Sequence, residues 1–381
     1  METSDLSSPG YWESEEVDLR LNPRRPVASA GLRTFLVEEL GLRACVVLAT
    51  SGSSGKAKFV VLPRRAILSS AQAVNAHCGL TNADVWLGGL STFHVGGIGI
   101  FARAHCSGAT VVPMAWDGWS RDGTAFLEAV RGHRATLTSL TPAHLWDLFR
   151  ARRRSPETLR GVFLGGGAID PFLVEEARAL GWPIWPTYGM SEAASQIATS
   201  PDGDGRWLDL LPIWETTLEV ASGRLAIRGP ALFSGYVEGC GESWRFDPAR
   251  DSEGWYVTGD RCELEKGRVR FVARGDDAVK VLGELVSLGS LHERLAEFGI
   301  QGGIVALPHP RRGHELVLVR EPGAAALTTF QEGLAPVEQI NREVVVPFLP
   351  RTDIGKVDRA ALEALAIASS TDPSDDCATP R

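Results

Sequence analysis

The sequence predicts an α/β fold in which a large N-terminal domain of α/β sheets carries a β-rich subdomain and is followed by a small α+β C-terminal domain. Three observations predict it. Short apolar runs alternate with helix-length segments from about residue 45 to 180, which is the pattern of a largely parallel sheet. Between Trp214 and Val272 the pattern shifts to short β-rich runs broken by glycine, as in an antiparallel or barrel-like part. Beyond it, one helical repeat and two apolar runs read as a separate α+β unit. At 381 residues the chain has room for two domains, and 44% hydrophobic with 23% charged residues is a globular composition.

The elements follow in order. The segment from Leu6 to Ala30 shows no periodicity and reads as a lead-in draped over the surface. From Gly31, the spacing of Leu32, Phe35, Leu36 and Leu40 predicts a helix, and Cys45 to Ala49 a buried strand. Further strands are expected at Asp84 to Gly88, Thr110 to Pro113, Thr136 to Leu140 and Gly161 to Leu164. Thr141-Pro142 and Asp170-Pro171 each pair a capping side chain with a first-turn proline, so they should open helices. The β-rich part is expected to include Leu218 to Val220, Arg224 to Arg228 and Arg268 to Val272. In the last unit, Leu288, Leu291, Leu295 and Phe298 share a helical face, and Ile304 to Leu307 and Glu315 to Arg320 read as strands. The polar stretch 369–381 reads as a disordered tail.

Composition removes several classes of function. A net charge of −8 argues against a nucleic-acid-binding role, because gripping phosphates requires excess cationic charge. Six cysteines without a C-x-x-C pair suggest neither a zinc site nor a disulfide framework, and a reducing cytoplasm fits them. An acidic, polar start and the absence of a long apolar run give no expectation of secretion or membrane insertion.

The strongest local signal is Thr50-Ser51-Gly52-Ser53-Ser54-Gly55-Lys56-Ala57-Lys58, directly after a buried strand. Its glycines permit tight turns, its hydroxyls and N–H groups can surround phosphate oxygens, and its lysines add charge. It is not a Walker A loop, since only two residues separate Gly52 from Gly55 where that loop needs four. Tyr188-Gly189-Met190-Ser191-Glu192 follows, then Gly223 to Pro230 leading to Gly235-Tyr236, then Tyr256-Val257-Thr258-Gly259-Asp260. Arg274-Gly275-Asp276-Asp277 and Pro350-Arg351-Thr352-Asp353-Ile354-Gly355-Lys356 complete the series. Singly, Asp260 reads as a strand-end turn residue, Arg274 as a surface ion-pair partner and Lys356 as a solvated lysine beside a turn.

In this order the motifs resemble those of the acyl-CoA synthetase, peptide-synthetase adenylation domain and luciferase superfamily, over Cys45 to about Leu365. Thr138-Ser139-Leu140, Gly165-Gly166-Gly167, Thr187 to Glu192 and Leu349 to Leu362 resemble most the short o-succinylbenzoate:CoA ligases of menaquinone biosynthesis. The resemblance implies an enzyme that activates a carboxylic acid with ATP and Mg²⁺ and passes the acyl group to coenzyme A. Lys356 would be the catalytic lysine, Ser191 a donor to the α-phosphate and Glu192 the magnesium-associated carboxylate. Thr50, Ser51, Gly52, Ser53, Ser54, Gly55 and Lys58 would hold phosphates. Gly165, Gly166, Gly167, Ala168, Tyr188 and Gly189 would wall the adenine slot, and Asp260 with Arg274 would hold the ribose. His94, Ser139, Thr141 and His144 would face the acid. Asp276 would be the hinge between residues 1–275 and a mobile lid, residues 276–368.

The phosphate loop lies nearer the N-terminus than is usual in this superfamily, a trait the short forms share. Two rival readings stay open: a ligase for another aryl or short acyl acid, and a non-catalytic nucleotide-binding homologue. Peptide-synthetase loading is disfavoured, since no carrier domain follows Lys356. A homodimer is left open.

Overall fold

The computed structural model describes residues 4–23, 29–50, 58–115, 119–120, 122–167, 169–240, 243–274, 278–281, 284–309, 312–323, 327–353 and 355–369. The chain divides into two compact units. One is Met1–Thr258 with Glu263–Phe271, and the other is Gly259–Cys262 with Val272–Arg381.

In the first unit, β1 (Val17–Arg20), β2 (Cys45–Thr50) and β3 (Lys58–Pro63) form a five-stranded sheet with Gly235–Cys240 and Ser243–Asp247. β1 runs parallel to β2, and β2 pairs antiparallel with β3. This corrects the lead-in expected over residues 6–30. Its described part contributes a sheet strand and two short helices, Ser4–Ser7 and Pro9–Glu13, and buries Leu6, Trp12 and Val17. Those apolar residues are too few and too irregularly spaced to show a period; tertiary partners hold them instead. Arg64, itself buried, donates to the Ser14 carbonyl at 2.8 Å and lies 4.7 Å from the centre of the Tyr11 ring. Tyr11 donates in turn to Asp18 at 2.6 Å.

A six-stranded sheet forms the middle of the unit. Its strands are β4 (Val85–Gly88), β5 (Thr110–Pro113), β6 (Leu137–Leu140), β7 (Gly161–Leu164), β8 (Ile184–Met190) and β9 (Ser195–Thr199). Their order is β5-β4-β6-β7-β8-β9, with the first five parallel and β9 antiparallel to β8. Alternation along the strands sorts the faces. Leu87, Val162 and Leu164 join a core with the helices Thr124–Gly132, Pro142–Arg150 and Pro171–Ala179. Trp86 and Phe163 point the other way and flank the buried guanidinium of Arg103, at 5.1 and 5.2 Å, on the helix Val95–Ser107.

Asp84 and Thr136, expected within strands, lie one residue outside them. Their side chains are used together: the Thr136 hydroxyl donates to Asp84 at 2.9 Å, and Arg160 binds the same carboxylate at 2.7 and 2.6 Å. Burial would raise the Asp84 carboxyl, but these bonds overcome it and hold the group below its ordinary range. Both Thr141 and Asp170 cap their helices as expected.

The β-rich part forms a second five-stranded sheet, in the order Leu208–Asp209, Arg268–Arg274, Tyr256–Glu265, Arg224–Arg228, Glu215–Leu218. The strand expected at Leu218 to Val220 instead occupies Glu215–Leu218, and Val220 is fully exposed in the turn. The helix expected from Gly31 is a single α turn, Leu32–Thr34, continued as the π-helix Phe35–Glu39.

The second unit holds the helix Leu288–Glu297, whose Leu288, Leu291 and Leu295 are buried against Ile304, Leu316 and Leu318 of the strands Gly302–His309 and Gly313–Arg320. A strand Arg342–Val345 joins them in parallel, and the helix Arg359–Ala368 packs on the sheet through Leu362 and Ala366. Of the tail expected over 369–381, all but Ser369 lies outside the described residues.

Candidate active site

The strand order reverses between β4 and β6, because β5 lies on one side of β4 and β6 on the other. In open parallel sheets, the crevice at the carboxyl ends beside such a point is where ligands bind. A small cavity occupies it, lined by Gly89 after β4, Met114 after β5, Ser139 near the end of β6, and Trp119 and His144. Ser139 is 6% exposed, and its hydroxyl is buried without a hydrogen-bond partner among the described residues. A buried, unsatisfied hydroxyl in a cavity wall is suited to a polar ligand group.

His144 is fixed from two sides. In the capping box, the Thr141 hydroxyl accepts from the His144 N–H, and His144 Nδ1 accepts from the Thr141 N–H, each at 3.4 Å. Trp119 lies against the imidazole, ring centres 4.2 Å apart. With Nδ1 accepting, the neutral ring carries its proton on Nε2. Burial pulls the imidazole down to about 4 from its usual 6.5. The folded chain therefore resists a proton that the unfolded chain accepts, and stability falls as pH drops from about 6.5 towards 4. We expect His144→Gln to flatten the melting-temperature profile across that window; an unchanged profile would show that His144 is not the group responsible.

Of the residues expected to face the acid, Ser139 and His144 thus share one cavity. Thr141 spends its hydroxyl on capping, and His94 stands at the start of the helix Val95–Ser107 against Phe93, outside the cavity lining.

The end of β7 supplies Gly165–Gly167. A Cβ on Gly165 would sit 2.3 Å from the Thr187 hydroxyl, which donates to the Leu164 carbonyl at 3.0 Å, so only glycine fits there. Tyr188 on the neighbouring β8 meets Phe271, ring centres 6.2 Å apart. At Gly189 a Cβ would lie 1.7 Å from the Ser195 carbonyl oxygen; strand packing accounts for this glycine.

Beyond β8, Ser191 and Glu192 form a single 3-10 turn, both half-buried. The Phe233 N–H donates to the Glu192 carbonyl at 2.9 Å, and the Tyr236 hydroxyl to the Glu192 carboxylate at 2.7 Å. A second hydroxyl, that of Tyr256, stands 2.7 Å from Tyr236. Tyr236 has one proton and gives it to the carboxylate, so Tyr256 must donate to Tyr236. Burial first, then the Glu192 charge and Tyr256, push the Tyr236 phenol well above its usual range, which keeps it the donor. Lys58 Nζ lies 3.6 Å from the centre of the Tyr236 ring and 3.0 Å from the Glu238 carboxylate. The first and second motifs of the sequence, represented by Lys58 and Glu192, therefore meet on one tyrosine.

Tyr236 and Tyr256 were quoted above within motifs but given no role. The available signal was that three of the four tyrosines in the chain, Tyr188, Tyr236 and Tyr256, fall in glycine-containing motifs. Ser51, Gly52, Ser53, Ser54, Gly55, Ala168 and Asp276 lie outside the described residues, as do the side chains of Thr50 and Arg274. The ends flanking the glycine-rich loop are paired in register, Thr50 with Lys58. Asp260 is buried within the strand Tyr256–Glu265.

In the second unit, Lys356 is exposed on a tight loop. The Thr352 N–H donates to the Lys356 carbonyl at 2.7 Å, Arg351 to the Gly355 carbonyl at 3.0 Å, and the Asp358 N–H to the Pro350 carbonyl at 2.9 Å. Asp358 then caps the helix Arg359–Ala368. Among the described residues no group of three or more His, Cys, Asp or Glu could hold a metal ion. A lone carboxylate such as Glu192 suits magnesium that arrives on nucleotide phosphates with most of its own water.

A doubly covered parallel sheet with a crevice at its switch point, and with a carboxylate held by a tyrosine just beyond the end of β8, is the scaffold of a nucleotide-using α/β protein. The chain belongs to the AMP-binding enzyme family, whose model matches residues 41–237. Among its relatives is the 2-succinylbenzoate–CoA ligase of Escherichia coli (strain K12), 31% identical over 329 residues, which cover 84% of this chain and 69% of the relative. The ligase of the same name from Bacillus subtilis (strain 168) is 28% identical over 82% of this chain and 67% of its own length. The Geobacillus ligase is covered over 55% of its length. Solved structures agree: an E. coli MenE variant with bound OSB-AMS has a TM-score of 0.72 at 28% identity, covering 85% of this chain and 69% of that one. B. subtilis MenE in complex with the acyl-adenylate intermediate OSB-AMP gives 0.70 at 27% identity, covering 84% and 68%.

Proposed function

We propose that the chain is an AMP-forming acid:CoA ligase that converts o-succinylbenzoate to its adenylate and then to o-succinylbenzoyl-CoA, as part of menaquinone synthesis. The meeting of Lys58 and Glu192 on Tyr236 carries this reading, because it joins the phosphate-loop strand to a carboxylate suited to Mg·ATP. The relatives' names give the acid, and B. subtilis MenE has been solved with ATP and magnesium ion.

Adenylation brings a carboxylate to the α-phosphorus of ATP, so charge must be neutralised from several sides. Glu192 receives the nucleotide's magnesium, Ser191 donates to the α-phosphate, and the glycine-rich loop cradles the outgoing pyrophosphate. Asp260 and Arg274 hold the ribose, while Gly165 to Ala168 and Tyr188 hold the base. Ser139 and His144 Nε2–H offer two donors at the switch-point cavity, which suits an acid with a second polar group. Lys356 assists the first half-reaction from the C-terminal domain, and a hinge at Asp276 removes it before the thiol enters. The free thiols of Cys45, Cys78 and Cys106 suit a reducing cytoplasm. Among the described residues no helix is long and apolar enough to cross a membrane.

AMP release over a panel of aryl and short acyl acids should peak with o-succinylbenzoate, and thioester should form only when coenzyme A is added. A panel in which that acid ranks with the others would remove the substrate, and silence with every acid would leave a nucleotide-binding protein without turnover.

A further inference from the structure

A second cleft, of about 520 Å³, opens where the first turn of the helix Arg64–Cys78 meets Gly229, Pro230, Leu232 and Ser234 and the stretch Pro248 to Arg250. None of its lining residues belongs to the site described above. Four of them bring polar side chains: Arg65, Ser69, Ser234 and Arg250.

The two arginines are the anomaly. Arg250 Nε is buried and has no hydrogen-bond partner among the described residues. Arg65 sits close enough for its charge to act on Arg250; burial first, and then that charge, pull the Arg250 guanidinium below its ordinary value. Neither is joined to a carboxylate among the described residues, although other arginines of the chain are, such as Arg228, Arg245 and Arg270. Arg65 is also unfavourably placed within its helix, whose first turn holds no acidic residue and whose N-terminal end is itself positive. Its neighbour Arg64, whose Nε is also buried without a partner, donates through its terminal nitrogen to the Ser14 carbonyl and lies over Tyr11; among the described residues Arg65 has no such partner.

Like charges gathered at a helix N-terminus, one of them partly desolvated, raise the free energy of the empty cleft, and an anion between them removes that cost. Guanidinium forks match phosphate oxygens two at a time, and hydroxyls complete such a shell. The volume is within the range of small-molecule sites and far above that of one water. We propose that Arg65 and Arg250, with the hydroxyls of Ser69 and Ser234, form a binding site for a phosphate group, separate from the nucleotide site. Two sources carry that chemistry: the 3′-phosphate of coenzyme A and free inorganic phosphate. The phosphate site stands whether or not the chain is a ligase; only its assignment to coenzyme A rests on the proposed function.

The probe is inorganic phosphate, titrated into the full chain at constant ionic strength with chloride as the reference, and read as a shift in melting temperature. The wild type should be stabilised by phosphate beyond chloride. Arg65→Gln and Arg250→Gln should each weaken the apparent affinity at least tenfold while leaving the affinity for Mg·ATP within about twofold. Arg65→Glu should melt above Arg65→Gln without ligand, because it supplies Arg250 with a counter-ion, and should lose the phosphate response. A phosphate response equal in wild type and variants, or none beyond chloride in the wild type, would overturn the proposal. In the thioester-forming assay, a KM for coenzyme A that rises in Arg250→Gln while that for 3′-dephospho-coenzyme A holds would identify the 3′-phosphate. Equal KM changes for the two thiols, with the phosphate response intact in the wild type alone, would identify free phosphate.

Discussion

Replacing Lys356 by alanine should lower the rate of acyl-adenylate formation roughly a hundredfold or more while ATP binding stays measurable. In the proposed mechanism its ammonium bridges the substrate carboxylate and the α-phosphate as charge shifts to the leaving pyrophosphate. Loss of one preorganised donor of this kind costs about 3 kcal/mol or more at the transition state. The fold should survive, because the side chain is exposed and the loop is held by backbone bonds from Thr352 and Asp358 and by Arg351, none of which involves the ammonium. Pyrophosphate exchange measures the first half-reaction alone. The split to look for is slow exchange combined with near-normal thioester formation from added acyl-adenylate; exchange at the wild-type rate would remove Lys356 from the mechanism.

The second large effect is expected at Tyr236. Tyr236→Phe keeps the ring that Lys58 and Phe233 pack against and deletes only the hydroxyl that donates to Glu192. A hydrogen bond to a charged group contributes about 1.5–3 kcal/mol, so adenylation should slow by roughly ten- to a hundredfold. Since the hydroxyl acts through Glu192, the loss should appear as weaker Mg²⁺ affinity: a higher half-saturating magnesium concentration, partial rescue by excess magnesium, and a smaller thermal shift on adding Mg·ATP. The KM for the acid should change little. Tyr256→Phe should act in the same direction and less strongly, because it is one bond further out. A general loss of stability with no change in magnesium response would assign both tyrosines to packing.

Much of the fold was legible because its elements carry their own signals. The helix Pro142–Arg150 was readable from Thr141-Pro142, and Pro171–Ala179 from Asp170-Pro171, since a capping side chain and a proline act within one turn. β7 was bounded correctly because a buried parallel strand is a short apolar run, and β5, half-exposed at the sheet edge, still carries its own Val111-Val112 run. The segment from Leu6 to Arg20 was not legible. Its burial depends on Arg64 and on a strand beginning at Cys45, partners far along the chain that impose no period on the segment itself.

The candidate site divides in the same way. Lys58, Glu192, Asp260 and Lys356 could be named as candidates because their motifs, taken in order, resemble those of a known family; read singly, none of them pointed to a nucleotide. Sequence alone also set the α/β class, since alternation of strand and helix is written into the spacing of apolar residues. Tertiary structure decided which of these side chains share a neighbour: Tyr236 under both Lys58 and Glu192, Trp119 against His144, and Arg65 facing Arg250. Such meetings join residues up to 185 positions apart in the chain. Local propensity reaches only a few residues, whereas contacts of this kind exist only once the sheets have brought distant strand ends together.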